Sequence, residues 1–182
     1  MNRQILIISG PSHVGKNTMI NELVDKFGYE SIVTYTSRIP REEEINGVDY
    51  HFLSKTEFQS LIKEGFFVDW DYTLENYYGI SNITFNFTGE KPKVIHVLAR
   101  MALRLKQKFT NLKLLFLYPE NVDEIENRLK TRFHNQEIVR QRIQHGKEEI
   151  THSSMFDYIV KTKGGLEAIE LSKDYLSLRE PL

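Results

Sequence analysis

Residues Gly10-Pro11-Ser12-His13-Val14-Gly15-Lys16-Asn17-Thr18 have the types and spacing to hold a chain of phosphates. Glycines let the backbone turn tightly and bring its N–H groups close to an anion. A helix starting at the end of such a loop adds partial positive charge at the same point. Lys16 would then reach the outer phosphates of a nucleoside triphosphate, with Ser12 to Thr18 wrapped around them. The usual pattern ends Gly-Lys-Ser/Thr, with the hydroxyl on Mg²⁺. Here Asn17 holds that place and the hydroxyl follows at Thr18. Both are candidate metal contacts, Asn17 through a metal-bound water.

Arginines make up the second set. Arg38 and Arg41 flank Pro40 in the stretch Tyr35–Gly47, where no helix face explains them. Arg128, Arg132 and Arg142 surround a polar link, Phe133-His134-Asn135-Gln136. Guanidinium groups bind phosphate oxygens in pairs. Transfer of a phosphoryl group between two anions asks mainly for alignment and charge neutralisation. One lysine and five arginines on three parts of the chain suit that task. The histidines lack the close spacing of a zinc site. His96 fits a core strand, and His13 fits space-filling in the loop better than chemistry.

These residues need elements to hold them. Ile5–Ile8 is an apolar run that suits a buried strand, and Met19–Val24 has helical spacing up to Gly28. Ser31–Thr34 and Val48–Leu53 are predicted strands, separated by turn signals at Pro40 and Asn46-Gly47. Ser54-Lys55-Thr56-Glu57 is a capping box that opens a helix closed by Gly65. Phe66–Tyr72 and Asn76–Ile80 follow as short strands, and Ile83–Thr88 alternates like another. Lys93–Leu98, Leu112–Tyr118 and Tyr158–Val160 are predicted core strands. Helices are predicted from Ala99, from the Asn121 cap, through Arg140 and Arg142, and from Leu166. Strands alternating with helices imply an α/β fold with a mainly parallel sheet.

Length and composition agree. The chain has 182 residues, 40% of them apolar and 27% charged, with a net charge of −1 and no cysteine. That is a globular profile in one domain. It gives no basic excess for nucleic acid, no membrane-length apolar run and no disulfide or thiolate chemistry. The opening residues lead straight into an apolar strand, so a cytoplasmic location is the expectation. No motif sets the oligomeric state.

Taken in order, Gly10–Thr18, Thr36-Ser37-Arg38-Ile39-Pro40-Arg41, Gly47-Val48-Asp49-Tyr50-His51-Phe52 and Asn76-Tyr77-Tyr78-Gly79 resemble the guanylate kinase family. The resemblance runs through nearly the whole chain. It implies a three-layer P-loop core (1–33, 82–125 and 146–182), a small mixed monophosphate-binding insertion (34–81) and a helical lid (126–145). It implies transfer of the γ-phosphate of Mg²⁺-bound ATP to GMP, with closure of insertion and lid over both substrates. By position, Arg38, Arg41, Tyr50 and Tyr78 would hold the GMP phosphate, and Thr34 and Asp69 would face the base. Lys16, Arg38, Arg128, Arg132 and Arg142 would be the catalytic cations.

The chain departs from the family pattern in one concentrated group. Ile80 replaces a base-contacting hydroxyl. His96 and Leu98 replace an acid that serves the metal and an Asp that reads guanine. From Lys91 to Lys113 there is no Asp or Glu at all. Near the C-terminus Thr162 falls where the family has an asparagine. Weakened guanine selectivity is therefore expected. Two alternatives stay open: a guanylate-kinase-like interaction module without catalysis, and a kinase for another phosphorylated acceptor.

Overall fold

Ile5-Leu6-Ile7-Ile8 and Ser9 form β1 (Ile5–Ser9), a strand buried along its whole length. A strand covered on both faces has no polar side to alternate with, which explains the unbroken apolar run. The computed structural model describes residues 5–86, 89–133 and 135–177, without the side chains of Glu124 and Arg132. Two compact units emerge, one from Met1–Ser31 with Glu90–Leu182 and one from Ile32–Gly89.

The first unit is a parallel sheet, ordered β2 (Glu30–Ser31), β7 (Lys93–His96), β1, β8 (Leu112–Pro119) and β9 (Tyr158–Thr162). Leu6, Ile8, Leu115 and Leu117 pack with Met19, Ile20 and Leu23 of α1 (Lys16–Phe27) and with Ala168 and Ile169 of α6 (Gly165–Leu176). The alternate residues Ile5, Ile7, Leu114 and Phe116 are equally buried, and α3 (Ala99–Lys108) packs on β1 and β8. Gly28 ends α1 in the left-handed conformation that glycine takes without a Cβ clash. Beyond β8, Asn121 Oδ1 accepts the Asp123 N–H at 2.9 Å and opens α4 (Val122–Arg132). Asn135 caps α5 (Gln136–Thr151) in the same way. Ile125, Leu129 and Val139 form a small core of their own between these two helices.

The second unit is a four-stranded mixed sheet, ordered β4 (Tyr50–Phe52), β3 (Thr34–Thr36), β6 (Asn76–Ser81) and β5 (Phe67–Thr73). The predicted capping box is present: Ser54 Oγ accepts the Glu57 N–H and the Glu57 carboxylate accepts the Ser54 N–H. It starts α2 (Lys55–Lys63), whose Phe58 is fully buried and stacks on Phe67 and Tyr77.

Two expected strands come out differently. Ser31–Thr34 is not one strand: Glu30–Ser31 joins the parallel sheet, and Thr34–Thr36 joins the mixed one. Ile83–Thr88 is not a strand in its described part. Ser81 Oγ instead accepts the N–H groups of Ile83 and Thr84 and folds the chain into a turn. A hydroxyl next to free N–H groups competes with a ladder. Phe87 and Thr88 lie outside the described residues.

The β5–β6 hairpin turns on Leu74 (φ 47°) and Glu75 (φ 60°), both left-handed. Two-residue hairpin loops of this type favour Asn-Gly, since other residues carry a Cβ clash there. Replacing Leu74-Glu75 with Asn-Gly is expected to raise stability by about 1–2 kcal/mol. Urea denaturation checks this; an unchanged or lower midpoint would show that the turn stores no such strain.

Candidate active site

In the first unit, the C-terminal end of β1 opens into the glycine-bounded loop. Gly10 (φ 144°) and Gly15 (φ 102°) both hold backbone angles that favour glycine. A Cβ on Gly10 would sit 2.5 Å from the Leu117 carbonyl oxygen, and one on Gly15 would sit 2.3 Å from the Gly165 nitrogen. The loop is thus pressed between β8 and the start of α6. His13 has φ 64°, a conformation in which histidine is better tolerated than bulkier residues. Its ring meets Phe133 edge-on at 6.4 Å.

Lys16 is the first residue of α1, and its ammonium donates to the carbonyls of Gly10 (2.7 Å) and Pro11 (2.8 Å). Burial lowers its pKa to about 8, against the opposing charge of Glu149. Ser12 is half-buried and Val14 fully buried, anchoring the loop, while Asn17 and Thr18 are exposed on the first turn of the helix.

α5 presents one face to this loop. Gly146 brings its backbone close to Pro11, where a Cβ would come within 3.3 Å of the proline ring. The Arg142 guanidinium lies 4.4 Å over the Phe133 ring. His145 is held neutral, its pKa lowered to about 4 by burial and by the charge of Arg100. Glu149 accepts the Ala99 N–H through both carboxylate oxygens, at 3.1 and 2.9 Å. From α4, an Arg128 nitrogen donates to the His13 carbonyl at 3.4 Å. The structure therefore brings Arg128 and Arg142 to the loop; the Arg132 side chain lies outside the described set.

The second unit gathers the other set. Arg38 donates twice to Glu44, at 2.8 Å to each carboxylate oxygen. The same carboxylate accepts the Arg41 N–H at 2.8 Å and lies 3.6 Å from the Arg41 guanidinium. Arg38 also lies over the rings of Tyr50 (5.4 Å) and Phe52 (5.6 Å). Tyr50 meets Tyr78 edge-on at 6.5 Å. Burial opposes the charge of Arg38, but the hydrogen bond and charge of Glu44 outweigh it and raise its pKa. Burial likewise opposes ionisation of Glu44, and both arginines overcome it, so its pKa is lowered. Burial, then Tyr78, pushes the Tyr50 hydroxyl up, which keeps it a protonated donor. Thr36 and Ser37 fix the approach to this cluster: Thr36 Oγ1 accepts the Arg38 N–H, and Ser37 Oγ accepts the Tyr77 N–H.

Thr34 and Asp69 are both buried, Thr34 in register with Tyr50 and Asp69 just after a bulge in β5. Such bulges re-aim a side chain. Ile80 is fully buried (0% exposed), so no hydroxyl is available at that point, and Ser81 uses its oxygen on the turn. Sequence reasoning missed Glu44 and Glu149. Glu44 is one of three consecutive glutamates, and spacing alone does not separate them. Glu149 had a signal: Arg142, Gly146 and Glu149 share one face of a helix. Among the described residues, no group of three or more His, Asp or Glu is placed to hold a metal. No described helix is long and apolar enough to cross a membrane.

Residues 2–177 match the sequence model of the family described as guanylate kinase. A guanylate kinase of Streptococcus pyogenes is 37% identical over 163 residues, covering 86% of this chain and 76% of the relative. One of Vibrio parahaemolyticus is 32% identical over 162 residues, covering 86% and 78%. Among solved structures, a guanylate kinase from Anaplasma phagocytophilum superposes with a TM-score of 0.76 at 22% identity, over 96% of this chain and 84% of that one. A shikimate kinase from Bacteroides thetaiotaomicron reaches 0.55 at 13% identity, over 96% and 99%, and shares the fold alone. With the match spanning nearly its whole length, the chain belongs to the guanylate kinase family.

Proposed function

We propose that this protein is an ATP-dependent guanylate kinase that transfers the γ-phosphoryl group of ATP to GMP, giving ADP and GDP. The observation that carries the reading is the Arg38–Glu44–Arg41 cluster beside Tyr50 and Tyr78. It is a partly buried, pre-oriented pair of guanidiniums next to hydroxyl donors, suited to a phosphate monoester. A module without catalysis would have no need for it, nor for a half-buried Lys16 held on the loop carbonyls.

Each half then has a task. The 5′-phosphate of GMP binds Arg38, Arg41, Tyr50 and Tyr78, with Thr34 and Asp69 toward the base. The phosphate loop Ser12–Thr18 wraps the ATP phosphates with its N–H groups, and Lys16 adds a positive charge. A GMP phosphate oxygen attacks the γ-phosphorus; the bond to the β-phosphate oxygen breaks, and ADP leaves with the electron pair. Arg128, Arg132 and Arg142 neutralise charge that builds on the oxygens between the two phosphates. Mg²⁺ brought with ATP would neutralise charge on the β- and γ-phosphates. Thr18 and Asn17 fit it: they are hard oxygen donors on the first turn of α1, and Mg²⁺ takes few protein ligands, keeping waters and phosphates.

Ile80 and Leu98 remove partners that would single out guanine, and a site that loses such partners discriminates less. A coupled ADP-release assay over GMP, dGMP, AMP, CMP and UMP is expected to give turnover with GMP and a weaker preference for it over the other four than a binding site rich in base contacts would give. No turnover of any of the five at high enzyme concentration would sink the kinase reading. A cytoplasmic site of action fits this metabolic role, and cell fractionation checks it.

A further inference from the structure

We propose that Phe133 is a positioning residue of the donor site: its ring carries the Arg142 guanidinium and braces His13, so that the α4–α5 pair and the glycine-bounded loop are held in one arrangement around the ATP phosphates. This rests on the reading that the loop and Arg142 act on those phosphates.

Phe133 follows the last residue of α4 and stands two positions before the Asn135 cap of α5. Its N–H donates to the Leu129 carbonyl at 3.0 Å, which continues the helical pattern by one residue. The side chain is half-buried against the small core of Ile125, Leu129 and Val139. That packing fixes the ring where two residues of the site meet it. The Arg142 guanidinium lies over the ring, 4.4 Å from its centroid, within the range of a cation–π contact. The His13 ring meets it edge-on. The His13 carbonyl accepts from Arg128 of α4, so His13 is engaged through both its backbone and its side chain. Arg142 and Gly146 are four residues apart and share a face of α5, and Gly146 lets that face approach Pro11. The backbone thus brings Arg142 to the loop, and the Phe133 ring decides where its long side chain ends.

A ring differs chemically from an acid in this place. In the second unit Glu44 holds Arg38 by taking two of its hydrogen bonds and offsetting its charge. An aromatic face attracts a guanidinium through its quadrupole, takes none of its N–H donors and leaves its charge whole. A cation that neutralises charge building on phosphate is therefore better held by a ring. Ordering that side chain before the nucleotide arrives also removes an entropic cost from binding. The small core alone needs only an apolar side chain of similar size, which leucine would supply.

A double-mutant cycle over Phe133→Leu and Arg142→Ala tests this, read as affinity for a non-hydrolysable ATP analogue with Mg²⁺ and as kcat and KM for GMP. Phe133→Leu is expected to weaken analogue binding and to lower kcat about 3–10-fold each, with KM for GMP changed less than about twofold. Phe133→Tyr keeps the ring face and is expected to behave like the unaltered protein. In the Arg142→Ala background, Phe133→Leu is expected to cost almost nothing more. Unchanged analogue affinity in a folded Phe133→Leu protein would overturn the proposal; Phe133→Met, which fills the space without a ring, serves if the leucine variant does not fold. So would an equal loss with and without Arg142, or a Phe133→Tyr protein as impaired as Phe133→Leu, since either would make Phe133 a packing residue of the helix pair alone. If the unaltered protein binds the analogue but turns over no monophosphate, the kinase reading falls, and the cycle still decides the proposal through affinity. Failure to bind the analogue at all would overturn both.

Discussion

Replacing Gly15 with alanine is expected to lower the melting temperature by roughly 10 °C and to abolish ATP binding. Two costs combine. At φ 102° a side chain is strained, and its Cβ would sit 2.3 Å from the Gly165 nitrogen and 3.0 Å from the Gly164 carbonyl carbon. Both neighbours are backbone, so neither can swing aside. Strain of about 1–2 kcal/mol and overpacking of about 1–3 kcal/mol give a loss on the order of 3–4 kcal/mol. At this chain length each kcal/mol moves the melting temperature by roughly 2–4 °C. A loop displaced by an ångström also loses its grip on phosphate. Gly164 supplies the control. Its φ of 179° is extended backbone, and a Cβ there would meet nothing within 4 Å, so Gly164→Ala should behave like the unaltered protein. Thermal melts and analogue titrations of both variants decide the matter. Equal behaviour of the two would mean that the close approach of Gly15 and Gly165 does not constrain the loop.

Glu44→Ala is expected to raise KM for GMP about 10–100-fold while lowering kcat far less. The carboxylate is 7% exposed and holds Arg38 through two 2.8 Å bonds and the Arg41 backbone through a third. Removing one partner of such a pair costs about 2–5 kcal/mol, much of it from leaving the other charge without its mate. The arginines would then have to be ordered by the incoming phosphate itself, which subtracts from its affinity. Glu44→Gln keeps the shape without the charge and should fall between. The sign of the pH effect follows from the lowered pKa of Glu44. Its contribution is complete above the ordinary glutamate value of about 4.3 and is lost as pH falls through the lowered value. The stability of Glu44→Gln should therefore fall less steeply in acid than that of the unaltered protein. A KM for GMP within twofold of the original would show that the arginines hold their positions without Glu44.

The parts most legible in the sequence were those set by neighbours along the chain. The capping box at Ser54, the Asn121 cap, the buried run Ile5–Ile8 and the glycine-bounded loop all depend on residues a few positions apart. The break between Ser31 and Thr34 was not legible, because one apolar stretch serves two sheets and only long-range pairing divides it. The hairpin at Leu74-Glu75 was spanned by two predicted strands, but its turn type was hidden by residues that do not normally adopt it. Ile83–Phe85 had the alternation of a strand, but the Ser81 hydroxyl accepts the N–H groups of Ile83 and Thr84 and turns the chain there.

By itself the sequence determined the α/β order and the family, since those are fixed by local pattern and by motifs in succession. Only the tertiary structure decided where the carboxylates go. Glu44 was one of three adjacent glutamates until the loop turned it onto Arg38 and Arg41. Glu149 was one charge among many on a polar helix until α5 packed against the glycine-bounded loop and buried the carboxylate on the Ala99 N–H. A buried charge needs partners within a few ångströms, and sequence separation says nothing about which residues those are.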